Sequence, residues 1–351
     1  MAVQTTRKAG LLAAALLATL TAAGPADAGD PSDVRRLAEG RSCFRCDLRY
    51  ESAVEGDFRG ADLRGAYMFN INLLSARLEQ AQMESSNLQR ANLERADLSQ
   101  ARLDRAMVSE ANLMGATLIR ASMRQVVAHR ALFDSADLSE SVLTTADLRN
   151  ASFIHAFAEK ALFMSADLRG ARLQRARMRG AQFVDADLSE ADLSAAWLQG
   201  SNFRKARLLG SNLSQAKLAY ANLANAVLVG ANLRGADLTG ANFLHADLSQ
   251  ADLSGAEIGS AVLEGAKTCG ATLPDGQRVP PCPGPKTLAK PPPQAQPQAQ
   301  PQAQAAPKPP AAKPPAARPA AAADRASPNG QPAPALHRID DDEDQDEADD
   351  E

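Results

Sequence analysis

The sequence has few of the residues on which catalysis and cofactor binding usually depend. Its 351 residues include four histidines and four cysteines, and aromatic residues make up only 4%. It contains no nucleophile–base pair at a recognisable spacing, no glycine-rich phosphate loop and no H-E-x-x-H motif. The sequence therefore predicts a protein that is not an enzyme and that uses no cofactor and no metal.

Strong net charge and long apolar runs are also missing. The formal net charge is −4, of which residues 1–28 contribute +1 and residues 283–351 contribute −4, so residues 29–282 carry −1. A nearly neutral body has no large field to attract nucleic acid or a membrane surface. The longest apolar stretch, residues 9–24, is shorter than the roughly 20 residues of a membrane span.

That apolar stretch has the features of a secretory signal peptide. Arg7 and Lys8 precede it, and Ala26-Asp27-Ala28 follows as an A-x-A cleavage site. We therefore expect cleavage after Ala28, export to the periplasm or the cell exterior, and no membrane span in the mature chain.

The other end of the sequence is of low complexity. Eighteen of the 21 prolines lie between Pro280 and Pro334, and ten of the last twelve residues, 340–351, are acidic. Such a composition has almost nothing to bury and predicts an extended, solvated linker that ends in a disordered acidic tail.

Between these ends, a small residue, any residue and a large apolar residue recur every five positions. From Phe58 to Leu263 there are 42 positions for the large residue, and 27 of them are Leu and seven are Phe. Only Ala128 and Ala158 are not large, and no insertion or deletion breaks the phase. This regularity is an internal repeat, and its period fits neither a helix nor a simple strand.

The spacing within each unit predicts a coil with four sides. The small and the large residue are two apart, so both point inward from an extended segment, and the next two residues suit a corner. Four such units close one coil that hydrogen-bonds to the next coil, with Leu or Phe on the axis. The repeats then form a solenoid about 50 Å long at about 4.8 Å per coil.

Units such as "ADLSQADLSGA", residues 246–256, resemble the pentapeptide repeat family pattern A-(D/N)-L-x-x. The resemblance covers at least residues 56–265. It implies an all-β fold, a right-handed quadrilateral parallel β-helix. Solenoids need caps, and "DPSDVRRLAEGRS", residues 30–42, predicts a short N-terminal capping helix.

The four cysteines flank the repeats. Cys43 and Cys46 precede them, and Cys269 and Cys282 follow them. Bridged Cα atoms must lie within about 7 Å, so a pairing across the length of the solenoid is excluded. We predict the bridges Cys43–Cys46 and Cys269–Cys282 as structural staples, with redox activity or metal binding through the C-x-x-C as the alternative.

One set of residues departs from the polar pattern of the outer surface. Residues four units apart stack on one face, and four such residues occupy positions where Asp or Asn is usual: Phe157, Arg177, Trp197 and Lys217. They predict a cation–π column. The column is interpreted either as a stabilising ladder or as a binding patch for a protein or a glycan.

These observations predict an exported, monomeric scaffold whose partner is an unidentified envelope or extracellular protein or glycan. Some members of the family mimic DNA and bind gyrase or topoisomerase, which is one alternative; the near-neutral repeats and the predicted export disfavour it. The predicted segments are a signal peptide (1–28), an N-terminal cap with the C-x-x-C (29–55), the repeats (56–265), a C-terminal cap with a disulfide loop (266–282), the linker (283–339) and the acidic tail (340–351).

Overall fold

The structure is a computed structural model that describes residues 20–21, 29–40 and 42–281. The rest of the predicted signal peptide, the linker, the acidic tail and Cys282 lie outside the described residues. The structure has three regular elements before the repeats or at their start: strand β1 (Leu20–Thr21), helix α1 (Pro31–Gly40) and strand β2 (Ser52–Ala53). β1 pairs antiparallel with β2, Leu20 opposite Ala53.

The repeats form a β-helix with four units in each coil. Single-residue parallel bridges join each unit to its equivalent four units later, from Ser42 with Asp62 to Asp252 with Thr272. Each unit also has a two-residue turn, so that four short sides and four corners make one coil. The predicted coil of four units is confirmed, although its sides are single bridges and not longer strands.

The corners are tight β-turns in which the second central residue has a positive φ. In the first complete coil, the Ala61 N–H donates to the Phe58 carbonyl at 2.9 Å, and Gly60 has a φ of 64°. Most corners carry a side chain at this position, such as Arg130 with a φ of 58°. The left-handed conformation disfavours a side chain, but before the last coil the N–H of these corner residues bonds to the next coil, as Arg130 does to the Arg149 carbonyl at 3.1 Å.

The interior consists of the large residues and the small residues that precede them. Both sets are buried along the repeats as far as Ala256. Phenylalanines in successive coils stack, with ring centroids of Phe163 and Phe183 5.0 Å apart and those of Phe183 and Phe203 4.7 Å apart. These stacks form a continuous apolar axis whose packing is almost entirely between neighbouring coils.

The two alanines that interrupt the large positions are both explained by neighbouring side chains. In the coil of Ala158, the rings of Phe153 and Phe163 meet edge to face, 6.2 Å apart, on either side of the alanine in the sequence. At Ala128, the preceding small position holds the larger Val126, which is also buried. Extra volume next to each alanine thus compensates for the missing leucine.

Helix α1 caps the first coil and covers the Cys43–Cys46 disulfide. The two Cα atoms are 5.1 Å apart and both cysteines are fully buried. Leu37 of α1 is buried with them, and Asp33 accepts a hydrogen bond from the Asp47 N–H at 2.8 Å. The predicted Cys43–Cys46 bridge and the predicted N-terminal helix are therefore both present.

The last coil is less well covered than the others. After Thr272 the chain turns back, with Thr272 and Arg278 in an antiparallel bridge, and does not complete another coil. Leu263, predicted to lie in the interior, is instead 39% exposed because no coil packs on it. Cys269 is disulfide-bonded, but the predicted partner, Cys282, lies outside the described residues. In the part of the chain that the structure describes, no helix is long and apolar enough to cross a membrane.

Candidate functional site

The four residues of the predicted column are brought together on one face of the β-helix. Consecutive parallel bridges join Phe157 to Arg177, Arg177 to Trp197, and Trp197 to Lys217. The column is bounded by acids, because Asp137 pairs with Phe157 at one end and Asp237 pairs with Lys217 at the other. Four successive positions of this column are thus aromatic or cationic, while Arg77 and Thr117 replace Asp or Asn singly earlier in the same column.

Trp197 is surrounded by cations. The Nζ of Lys217 lies 4.5 Å from the Trp197 ring centroid, and the guanidinium carbons of Arg179 and Arg177 lie 4.6 and 5.5 Å from it. Arg177 also lies 5.1 Å from the Phe157 ring centroid. These distances are within the range of cation–π attraction, so the rings hold the cations in place at the surface.

A groove of about 710 Å³ runs beside the column. Besides the four column residues, its lining comes from one line of corners, Ser135, His155, Arg175, Ala195 and Gln215. The groove has a wall of two aromatic rings and includes three cationic side chains. We call it the Trp197 groove.

Elsewhere on the surface, arginine is commonly held by an aspartate two residues earlier. The Nε and Nη2 of Arg149 donate to the two carboxylate oxygens of Asp147 at 2.7 and 2.6 Å, and Arg169 does the same to Asp167 at 2.8 and 2.6 Å. The unit "A-D-L-R" favours such bidentate pairs, because its Asp and Arg are two residues apart and their side chains lie next to each other on the outside of the coil. We call this arrangement the Asp–Arg clamp.

The clamp is missing next to Trp197. Arg179 occupies the arginine position of its unit, but the residue two positions earlier is Arg177 instead of an aspartate. Arg179 therefore has no carboxylate to hold it and lies against Trp197 instead. Among the described residues, no ion pair with an acid forms at any of the four cations of this surface, which are Arg175, Arg177, Arg179 and Lys217.

The Asp–Arg clamps change the acidity of their carboxylates. Side-chain hydrogen bonds from Arg149 and Arg64 hold the pKa values of Asp147 and Asp62 below their usual range. Burial acts to raise the pKa of Asp167, but the bonds from Arg169 outweigh it and the pKa is lowered. Burial raises the pKa of Glu51, which lies near Asp47 at the first coil. The clamps favour the ionised carboxylate, whereas the site of Glu51 favours the protonated one.

These shifts predict lower stability in acid. An aspartate with a lowered pKa stabilises the fold above its unfolded pKa of about 3.9, and this contribution is lost as pH falls through the lower folded value. Glu51 acts in the opposite sense and offsets a part of the loss. Because the arginines are half-exposed, solvent screens each clamp and its contribution to stability is small. We expect the melting temperature to fall between pH 5 and about pH 3, measured by circular dichroism.

The double variant Asp147→Asn, Asp167→Asn is the control for this prediction, since it removes two titrating carboxylates from the clamps. Its melting temperature should change less between the same pH values than that of the natural sequence. An equal pH dependence in both proteins would contradict the assignment to the clamps.

The Trp197 groove differs from the other charged parts of the described surface. Within the described residues no cluster of three or more His, Cys, Asp or Glu side chains is placed to hold a metal ion. The three aspartates that the sequence aligns in one column, Asp147, Asp167 and Asp187, have arginine partners. The Cys43–Cys46 sulfurs are bonded to each other and buried under α1. The Trp197 groove instead presents cations without acids.

Sequence reasoning missed two residues that line the groove, His155 and Arg175, and Arg179, which contacts Trp197. His155, Arg175 and Arg179 lie outside the column of equivalent positions that includes Trp197, and they enter the site from corners on its two sides. The signal for Arg179 is present in the sequence: its unit, "ARMRG", is an Asp–Arg unit in which arginine replaces the aspartate. The signal for Arg175 is only its position two residues before Arg177.

The comparisons with known proteins agree with the repeat geometry. A family described as Pentapeptide repeats matches in eight copies over residues 76–113, 111–150, 129–163, 146–185, 186–219 and 216–255. The solved structure of HetL, a pentapeptide repeat protein involved in heterocyst differentiation regulation from the cyanobacterium Nostoc sp. strain PCC 7120, is similar. It is 31% identical, with 57% of this chain and 92% of HetL covered and a TM-score of 0.44.

Two further solved structures have a lower sequence identity to this chain or cover less of it. QnrB1, a plasmid-mediated fluoroquinolone resistance protein, is 19% identical, with 49% of this chain and 91% of QnrB1 covered and a TM-score of 0.32. A pentapeptide repeat protein from the thylakoid lumen of Arabidopsis thaliana is 34% identical, with 29% of this chain and 65% of that protein covered and a TM-score of 0.12. No curated protein sequence matches the chain.

Proposed function

The chain belongs to the pentapeptide repeat family, and from this premise we propose that it is a non-catalytic binding scaffold that works outside the cytoplasm. The β-helix supplies a stiff surface, and the Trp197 groove is its binding site for an envelope or extracellular protein or glycan. The right-handed sense of the coil, the monomeric state and export through residues 1–28 are parts of this proposal.

The observation that carries the proposal is an unbroken run of aromatic and cationic side chains along one column of the outer surface. Over four successive coils, one column replaces Asp or Asn by Phe157, Arg177, Trp197 and Lys217, and a groove opens beside them. Stability alone does not require such a change, because backbone hydrogen bonds join these coils to their neighbours whatever side chains the column carries. Aromatic and arginine side chains are also the residues that dominate binding at protein interfaces.

Export is proposed from the pattern of residues 1–28 alone. Gly29, the residue after the predicted cleavage site, is buried, and its N–H donates to the Arg49 carbonyl at 2.9 Å. A mature chain that begins at Gly29 therefore starts on the first coil. The near-neutral charge of residues 29–282 and the cationic groove do not favour a mimic of DNA.

The test uses the full chain, immobilised and incubated with envelope extract. Trp197→Ala should lose retained components that the natural protein keeps, while its melting temperature falls by only a few degrees. Tyr220→Ala is the matched control, since Tyr220 is an exposed aromatic at a corner that does not line the groove. A Trp197→Ala protein that is strongly destabilised but retains the same components would show that the column is only a stabilising ladder.

A further inference from the structure

We propose that the occupant of the Trp197 groove is an acidic peptide segment in an extended conformation. This inference rests on the proposed binding function and names the chemistry of its partner. It follows from three features of the groove: the charge that it leaves unpaired, the use of its aromatic faces, and its direction along the coils.

The first feature is unpaired positive charge. Arg175, Arg177 and Arg179 lie within one coil, and Lys217 lies two coils further along the column. The closest acids in the same columns are Asp137 and Asp237 at the two ends and Glu159, one coil before Arg179. None of these acids pairs with the four cations in the described part of the chain. Carboxylates of a partner would satisfy these donors, and guanidinium groups bind carboxylates in a bidentate manner.

The second feature is that the faces of Trp197 are already in use. Three cations lie within 5.5 Å of its ring centroid. A pyranose ring would have to displace them to stack on the indole, which disfavours a glycan. Phe157, by contrast, is 38% exposed at one end of the groove and is available to an apolar side chain. A peptide that combines acidic residues with one apolar residue fits both observations.

The third feature is the shape of the groove. Its corner residues run from Ser135 to Gln215 over five coils, a distance of about 19 Å at about 4.8 Å per coil. An extended peptide rises about 3.3 Å per residue, so a peptide of about eight residues crosses the groove with residues to spare. A helix of the same eight residues would span only about 12 Å at about 1.5 Å per residue, which is shorter than the groove.

The variant that tests the proposal is Arg177→Asp. It removes a cation from the groove and also places an aspartate two residues before Arg179, which recreates the Asp–Arg clamp that is formed by Asp167 and Arg169. We therefore expect this variant to fold as well as the natural protein. The matched control is Arg172→Asp, which makes the same change of charge at the equivalent position of the preceding unit, on another face of the β-helix.

Binding is followed by the fluorescence of Trp197, the only tryptophan of the chain. The probe is a synthetic peptide of about eight residues with alternating Asp and Ser and one Leu. The same peptide with Asn in place of Asp is the control ligand. We expect the acidic peptide to bind, Arg177→Asp to weaken binding about tenfold or more, and Arg172→Asp to change it less than about twofold. Binding should weaken as added salt shortens the Debye length from about 10 Å at 0.1 M to about 3 Å at 1 M.

Equal binding of the acidic and the Asn peptide, or equal binding by Arg177→Asp and the natural protein, would overturn the proposal. A third probe, an oligogalacturonate, separates this failure from that of the proposed function. If only the oligosaccharide binds, and Arg177→Asp weakens it, the acidic-peptide proposal is wrong while the binding scaffold stands. If neither probe binds and Trp197→Ala retains the same envelope components as the natural protein, both proposals are wrong.

Discussion

Replacement of Phe183 by alanine is expected to lower the free energy of unfolding by about 3–5 kcal/mol. Phe183 is fully buried, and its ring stacks on Phe163 at 5.0 Å and on Phe203 at 4.7 Å. The substitution removes both stacks and leaves a cavity on the axis, where the backbone of a closed coil has little freedom to collapse. Urea unfolding followed by circular dichroism measures the change.

Phe183→Leu is the control, because leucine is the commonest residue at this position of the repeat. It should lose the stacking but keep most of the volume, so its effect should be less than half that of alanine. Trp197 lies in the coil of Phe183, and its fluorescence reports unfolding of this part of the β-helix. Similar losses for leucine and alanine would show that the aromatic stack, and not the filled volume, stabilises the axis.

Ala158→Leu is expected to destabilise the protein by about 1–3 kcal/mol, although it brings the sequence closer to the repeat pattern. The space that a leucine would fill is taken by Phe153 and Phe163, whose rings meet edge to face in this coil. A leucine must displace one of the rings from its position. Thermal and urea unfolding of the purified variant measure the loss.

The matched control is Met178→Leu, one coil further along the same inward column. Met178 is buried and of similar volume to leucine, so this exchange should cost less than about 1.5 kcal/mol. If Ala158→Leu instead stabilises the protein, the coil holds unfilled space and the explanation of the alanine by its phenylalanine neighbours is wrong.

Much of the fold can be predicted from the sequence because the residues of each repeat unit specify its local structure. The leucine at position 188, the alanine at position 186 and the two corner residues that follow specify one side and one corner, whatever lies elsewhere in the chain. Repeated without insertion, they leave one arrangement in which backbone groups are paired, with four units in each coil. The Cys43–Cys46 bridge can be predicted from the same geometry, because the length of the solenoid alone excludes a pairing with the cysteines at its other end.

What the sequence does not predict depends on side chains that meet between coils or on where the coils stop. The stacked column of Trp197 is predicted from the spacing of four units, but the contact of Arg179 depends on how its long side chain turns when no aspartate holds it. The exposure of Leu263 depends on the hairpin after Thr272, which the period of five does not specify. Corner side chains with a positive φ are likewise not predicted, since propensity favours glycine there.

The constant separation of four units between bridged partners also limits how such a gene can change in length. Loss or duplication of four whole units returns every later residue to its old face, so the protein becomes shorter or longer without a change in its surface pattern. Loss of a single unit preserves the interior equally well but rotates everything beyond it by a quarter turn. Such an event between Phe157 and Trp197 would divide the column between two faces, so natural variants in length should differ by whole coils wherever this surface is under selection.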